Sequence, residues 1–163
     1  MKAIILTIVI ILLIIAGLVW IYSVSQKNET NNAARTNGIL TAQERVFDFG
    51  TISMAAGKVS HIFKIKNTGT EFLTITKIYT SCMCTEATFV KSNIKRGPFG
   101  MLGHGYTPKN IAALNSNEEA EILVRFDPVA HGPAGLGKTE RIVYLENTGK
   151  NNLELVITVN VAP

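Results

Sequence analysis

The sequence predicts an all-β domain, a two-sheet β-sandwich of about seven strands, preceded by a single N-terminal transmembrane helix. Three observations carry this. From Ile39 onward apolar residues recur at every second position, the period of a strand with one buried face, and not at the helical three or four. Turn-forming clusters such as Asn67-Thr68-Gly69 and Asn147-Thr148-Gly149 separate the alternating runs. Ahead of them, Ala3 to Trp20 is an uncharged run of Ile, Leu, Val and Ala broken by one threonine and one glycine.

Extended to Tyr22, that run is about twenty residues, enough to cross a bilayer as a helix. A secretory leader has a shorter apolar core and a small-x-small cleavage site, whereas Ala16-Gly17 is followed by no such pattern. Trp20 and Tyr22 sit where an interfacial aromatic belt belongs. Residues 1–22 are therefore expected to be an uncleaved single-pass anchor. Flanking charges bias the orientation only slightly, but an early apolar segment is an export signal. The C-terminal domain is placed outside the cytoplasm, in the periplasm or on the cell surface. Residues 23–38 are polar and too poor in apolar side chains to bury a core, which predicts a flexible tether. Residues 39–163 remain for the sandwich.

Val46-Phe47-Asp48-Phe49 reads as a short first strand ended by Gly50. Val59, His61, Phe63 and Ile65 alternate with Ser60, Ile62, Lys64 and Lys66, and the glycine of the following turn can take positive φ without a Cβ clash. Leu73 and Ile75 share one face of the next strand, which runs to Thr80 and directly into the cysteines. Pro108 to Asn117 is expected to hold no more than one helical turn. Ala120, Ile122, Val124 and Phe126 form another inward face, Arg141 to Glu146 another strand, and Leu153, Leu155, Ile157, Val159 and Val161 the cleanest alternation of all. Asn-Thr-Gly followed by an alternating Leu-x-Ile or Leu-x-Leu strand occurs twice, which predicts one hairpin solution used twice. Short strands punctuated in this way point to an immunoglobulin-like sandwich. It is not an antibody-type domain, because the only tryptophan lies in the anchor.

The net charge of +4 is mild, and no Lys/Arg cluster or basic helix is present, which argues against nucleic acid as a partner. The expected partners are the membrane, through the N-terminal helix, and other envelope proteins. No Gly-x-Ser-x-Gly, His-Glu-x-x-His or phosphate-loop spacing occurs, which argues against hydrolytic catalysis and leaves a metal or redox module, or a structural or protein-binding one, more in keeping with a protein that is not an enzyme.

The ordered phrases Phe47-Asp48-Phe49-Gly50-Thr51-Ile52, Val59 to Gly69, Leu73-x-Ile75, Ser81-Cys82-Met83-Cys84-Thr85 and Val124-Arg125-Phe126-Asp127-Pro128 together resemble the bacterial domain of unknown function 1573 family. That family is related to immunoglobulin-like modules of the hydin and major-sperm-protein type. The resemblance runs from about Val46 to Val161. It implies the fold and an exported location but no reaction. Met83 stands where the family commonly has glycine, and the segment around Gly97 to Gly105 is longer than the family's usual link.

Chemistry concentrates at Ser81-Cys82-Met83-Cys84-Thr85, which holds the chain's only two cysteines. On an extended strand Cys82 and Cys84 would point the same way, with Cα atoms roughly 6.5–7 Å apart. That is the outer limit for a disulfide and a comfortable spacing for two thiolates on one metal. Met101 and His104 in a glycine-rich loop, and His131 in the turn after Asp127, are further candidate ligands. Three readings follow. Cys82, Cys84, His104 and His131, with Met101 as a soft fifth donor, suit copper, with zinc the alternative if Met101 is left out. The cysteine pair suits thiol redox chemistry with a labile disulfide. Or the cysteines are small apolar core residues and the histidines bond nearby backbone, which leaves a structural or protein-interaction module. His61 shares a face with Phe63 and Ile65 and is expected to be a partly buried, satisfied histidine rather than a ligand.

Overall fold

In a computed structural model of the chain, residues 13–20, 35–104 and 108–163 are described. Residues 13–20 are α-helical. Among the described residues, no helix is long and apolar enough to cross a membrane. The rest of the expected anchor, residues 1–12 and 21–22, lies outside the described residues, as does most of the expected tether.

Residues 35–163 form one compact unit, so the fold begins four residues before the expected start at Ile39. The reason is hydrogen bonding. Thr36 N–H donates to the Thr148 carbonyl, the Gly38 carbonyl accepts from Lys150, and Leu40 N–H donates to the Asn151 side chain. Among the described residues the unit has ten strands rather than about seven. They are β1 (Leu40–Ala42), β2 (Val46–Ser53), β3 (Val59–Asn67), β4 (Leu73–Thr80), β5 (Thr85–Lys91), β6 (Ile94–Phe99), β7 (Ala112–Leu114), β8 (Glu119–Phe126), β9 (Gly137–Asn147) and β10 (Leu153–Ala162). They make two five-stranded sheets, ordered β1-β3-β8-β5-β6 and β2-β10-β9-β4-β7. Among the described residues, every strand-to-strand pairing is antiparallel except β2 with β10. The 108–117 segment holds strand β7 and no helical turn.

The core lies between the sheets and follows the predicted parity. Phe63 and Ile65 of β3 and Ile122 and Val124 of β8 face Leu73 and Ile75 of β4 and Leu155 and Ile157 of β10, all essentially inaccessible. Each such side chain contributes about 1.5–3 kcal/mol of burial. A bulge between Ile75 and Lys77 then shifts the phase of β4. Ile78 and Thr80 therefore become the inward residues that lead into the cysteines.

The two Asn-Thr-Gly turns are locally alike and topologically different. In each, the asparagine side-chain oxygen accepts from the glycine N–H, and its amide donates to the carbonyl four residues on, at Glu71 or Asn151. Yet only Asn147-Thr148-Gly149 closes a hairpin, between β9 and β10. Asn67-Thr68-Gly69 carries the chain from one sheet to the other, from β3 to β4. Neither glycine uses the positive φ open to it. Both are needed for close approach instead. A Cβ on Gly69 would strike the backbone of Asn37 and Ile39, and one on Gly149 the Gly38 carbonyl.

Candidate metal centre

Two sheet-to-sheet connections meet at one end of the sandwich. The first runs from the end of β4 to the start of β5 and carries the cysteines. The second runs from the end of β8 to the start of β9 and carries His131. Register forces them together: Thr85, opening β5, pairs with Phe126, closing β8. The Asp127 N–H donates to the Cys84 carbonyl at 2.8 Å, joining the two connections directly. In the second loop the Asp127 carboxylate accepts from the Val129 N–H, and Gly132–Gly135 forms a 3-10 turn whose preceding residue is His131.

Cys82-Met83-Cys84 is not extended. The Thr85 N–H donates to the Cys82 carbonyl at 3.2 Å, closing a turn with Met83 and Cys84 at its corner. The Cys84 N–H also points at Cys82 Sγ, at 3.3 Å. The expected strand spacing is therefore replaced by direct sulfur contact, with Cys84 Sγ 2.6 Å from Cys82 Sγ. Both cysteines are free thiols, Cys84 buried and Cys82 half-buried, while Met83 stands out in solvent. The buried Thr80 hydroxyl ties both ends of the turn, through the Cys82 and Thr85 carbonyls. Ser81 is locked to β9 by exchange of backbone and hydroxyl hydrogen bonds with Ile142.

His131 Nε2 lies 3.1 Å from Cys82 Sγ. The ligand atoms of Cys82, Cys84 and His131 all fall within 4.8 Å of one another. Arg141 completes the surroundings, its Nε–H donating to Cys84 Sγ at 3.0 Å and its Nη1 to the Glu140 carbonyl. Sequence reasoning missed Arg141. The available signal was a cation on the same strand face as Val143 and Leu145, which are buried.

The structure does not bring His104 into this cluster. It is exposed, in a turn closed by its own N–H on the Met101 carbonyl. Met101 is closer to the expectation. Its backbone bridges Thr80, and the Thr80 N–H donates to the Gly100 carbonyl, so the loop after β6 reaches the cysteine end. His61 is elsewhere, half-buried, stacked on Phe47 at 3.6 Å between centroids and 2.7 Å from a Glu44 carboxylate oxygen.

The environment splits the two thiols. Burial alone pushes the Cys82 thiol up, but hydrogen bonds from the Cys84 side chain and backbone, the contact with His131 and the charge of Arg141 outweigh it. They bring Cys82 down to about 7. Burial, followed by its hydrogen bond to Cys82, pushes the Cys84 thiol up despite the Arg141 guanidinium. The pair thus gives up one proton readily and holds the other. Two sulfurs and one imidazole on a shared point can take a soft metal ion, and the same asymmetric pair can exchange disulfides.

No curated protein matches the sequence significantly. Among solved structures, the fold is similar to a protein of unknown function from Porphyromonas gingivalis W83, with a TM-score of 0.58, 10% identity, and coverage of 82% of this chain and 51% of that one. It is also similar to a family 123 glycoside hydrolase from Clostridium perfringens, with a TM-score of 0.53, 5% identity and coverage of 77% and 27%. For the VesB protease of Vibrio cholerae the corresponding values are 0.51, 16%, 77% and 32%. The chain thus spans about half, or less, of these proteins, and at such identities the likeness shows the fold alone. Residues 40–116, from β1 through the cysteine turn to just past β7, match the family model described as protein of unknown function (DUF1573).

Proposed function

We propose that this immunoglobulin-like domain binds one Cu(I) ion through Cys82, Cys84 and His131. The observation that carries the reading is the convergence of those three ligand atoms, from two separate connections, to within 4.8 Å of one another. Thiolate and imidazole donors suit Cu(I). Structural zinc takes four ligands, and with His104 outside the cluster the Cys2His2 set is not assembled. Metal–sulfur bonds of about 2.3 Å in a trigonal arrangement set the sulfurs roughly 4 Å apart, so binding opens the Cys82–Cys84 contact. The backbone of Met101 is bridged to Thr80, which brings its loop to the same end and would let its thioether serve as a weaker, additional donor.

The test is anaerobic titration of the reduced chain with Cu(I) against a competing chelator. One ion per chain is expected, bound far more weakly in Cys82→Ser and Cys84→Ser and more weakly in His131→Ala. Failure to take Cu(I) from the chelator at any stoichiometry contradicts the proposal.

A specific observation favours a second reading, dithiol redox chemistry: Cys82 is held at about 7 with the Cys84 sulfur in contact. There Cys82 would attack a partner disulfide, and Cys84 would release the partner thiol by closing an intramolecular disulfide. The partner takes up the two electrons and two protons. Reversible formation of that disulfide in a chain that ignores Cu(I) would select this reading.

We place the domain outside the cytoplasm, held to the membrane by residues 1–22. The support is the apolar, charge-free run of Ala3 to Trp20 and the polar segment after it. A membrane-impermeant maleimide should label Cys82 on intact cells once the outer barrier is permeabilised. Labelling only after rupture of the cytoplasmic membrane contradicts this placement.

A further inference from the structure

We propose that Arg141 sets the charge preference of this centre, favouring a monovalent ion over a divalent one; the inference rests on the metal-binding reading above. It starts from a charge count. With both thiols ionised and His131 neutral as a ligand, the three donors carry two negative charges. Arg141, donating from Nε to Cys84 Sγ at 3.0 Å, returns one positive charge. A monovalent ion brings this half-buried group to neutrality, whereas a divalent ion leaves one excess positive charge next to a guanidinium. In a site of reduced dielectric that difference is substantial.

The other charged groups beside Cys84 do not disturb the count. Lys58, Glu86, Arg125 and Asp127 line the same small crevice as Met83 and Cys84. They form two ion pairs of their own, Lys58 with Asp127 at 3.4 Å and Arg125 with Glu86 at 4.0 Å. Among the described residues, no carboxylate pairs with Arg141; besides Cys84 it interacts with the Cys82 thiol and donates to the Glu140 carbonyl. Its position is fixed by the fold. β9 pairs with β4 through Val143 and Thr80, and with the cysteine turn through Ile142 and Ser81, so the guanidinium is delivered to the sulfurs from the sheet and not from a loop. Arg141 is a positioning residue that acts on the metal through the two cysteines, chiefly Cys84, and is not itself a ligand.

The experiment measures Cu(I) and Zn(II) affinities of the reduced chain by chelator competition, for wild type, Arg141→Gln and Arg141→Lys. Arg141→Gln should bind Cu(I) at least about tenfold more weakly while Zn(II) binding is unchanged or tighter, so the Cu(I)/Zn(II) ratio falls by about tenfold or more. Arg141→Lys, which keeps the charge, should retain most of the wild-type ratio. A loss of both ions in parallel in Arg141→Gln would show a merely structural role and overturn the proposal, as would an unchanged ratio. If the wild-type chain takes no Cu(I), the metal reading falls and this inference with it. If it takes Cu(I) and the ratio is insensitive to Arg141, only the inference falls.

Discussion

Cys84 Sγ is held between two groups of opposite effect: it donates to Cys82 Sγ at 2.6 Å and accepts from Arg141 Nε at 3.0 Å. A buried thiol thereby connects a half-exposed, acidified thiol to a guanidinium fixed on a strand. Most of the site's expected behaviour follows from that chain of contacts.

The first consequence is a pH profile. With Cys82 lowered from its ordinary 9.0 to about 7, alkylation of the reduced chain by iodoacetamide should rise through a midpoint near pH 7 for one thiol. Cys84→Ala removes the S–H donor, and the midpoint should move up toward the ordinary value. His131→Ala should move it in the same direction. The sign for stability follows. A lowered Cys82 favours the folded state fully above about pH 9, and that contribution fades as pH falls through about 7. Cys84, shifted up, acts oppositely at alkaline pH. A single midpoint near 9 in wild type would contradict the hydrogen-bonded arrangement.

Asn67 and Asn147 make the same local turn in different surroundings, and their substitutions should differ in cost. Asn67 is fully buried. Its oxygen accepts from Ile39 and Gly69, and its amide reaches the Glu71, Leu114 and Asn115 carbonyls. Asn67→Ala leaves several of these backbone groups unpaired and should cost about 3 kcal/mol or more. Asn147→Ala, in a half-buried hairpin, should cost about 1–2 kcal/mol. Denaturant midpoints compare them directly, and equal losses would show that the sheet crossover is no more demanding than the hairpin.

His61 is the internal control among the histidines. Its stack on Phe47 crosses from one sheet to the other, and its Nε2 contacts Glu44. His61→Ala should lower stability by about 1–2 kcal/mol without changing Cu(I) stoichiometry. Loss of metal uptake in this variant, with the fold intact, would place the centre elsewhere.

The sheets were legible because burial in β3, β8 and β10 follows strict alternation, as Ala120, Ile122, Val124 and Phe126 illustrate. β6 was hidden because its residues are exposed up to Phe99 and include Gly97-Pro98, and β7 because it is three residues long. The bulge at Ile75/Lys77 leaves no signature in hydropathy, yet it sets which residues face inward at Thr80. At the site, the residue types did not fix the geometry. Cys-x-Cys could be extended or turned, and a Thr85–Cys82 hydrogen bond decides for the turn. His104 and His131 both sit in glycine-containing loops. Only the Thr85–Phe126 register selects the second. Arg141 was visible only as a cation at a core-facing strand position, where a structural role is equally natural.

The most direct test of the account is X-ray absorption at the copper edge of the reduced chain loaded with one equivalent of Cu(I). It should show two sulfur neighbours at about 2.2–2.3 Å and one imidazole nitrogen at about 2.0 Å. The sulfur shell should be reduced in Cys84→Ser and the nitrogen shell lost in His131→Ala. A spectrum with only nitrogen and oxygen neighbours, or one unchanged by both substitutions, would contradict a centre built from Cys82, Cys84 and His131.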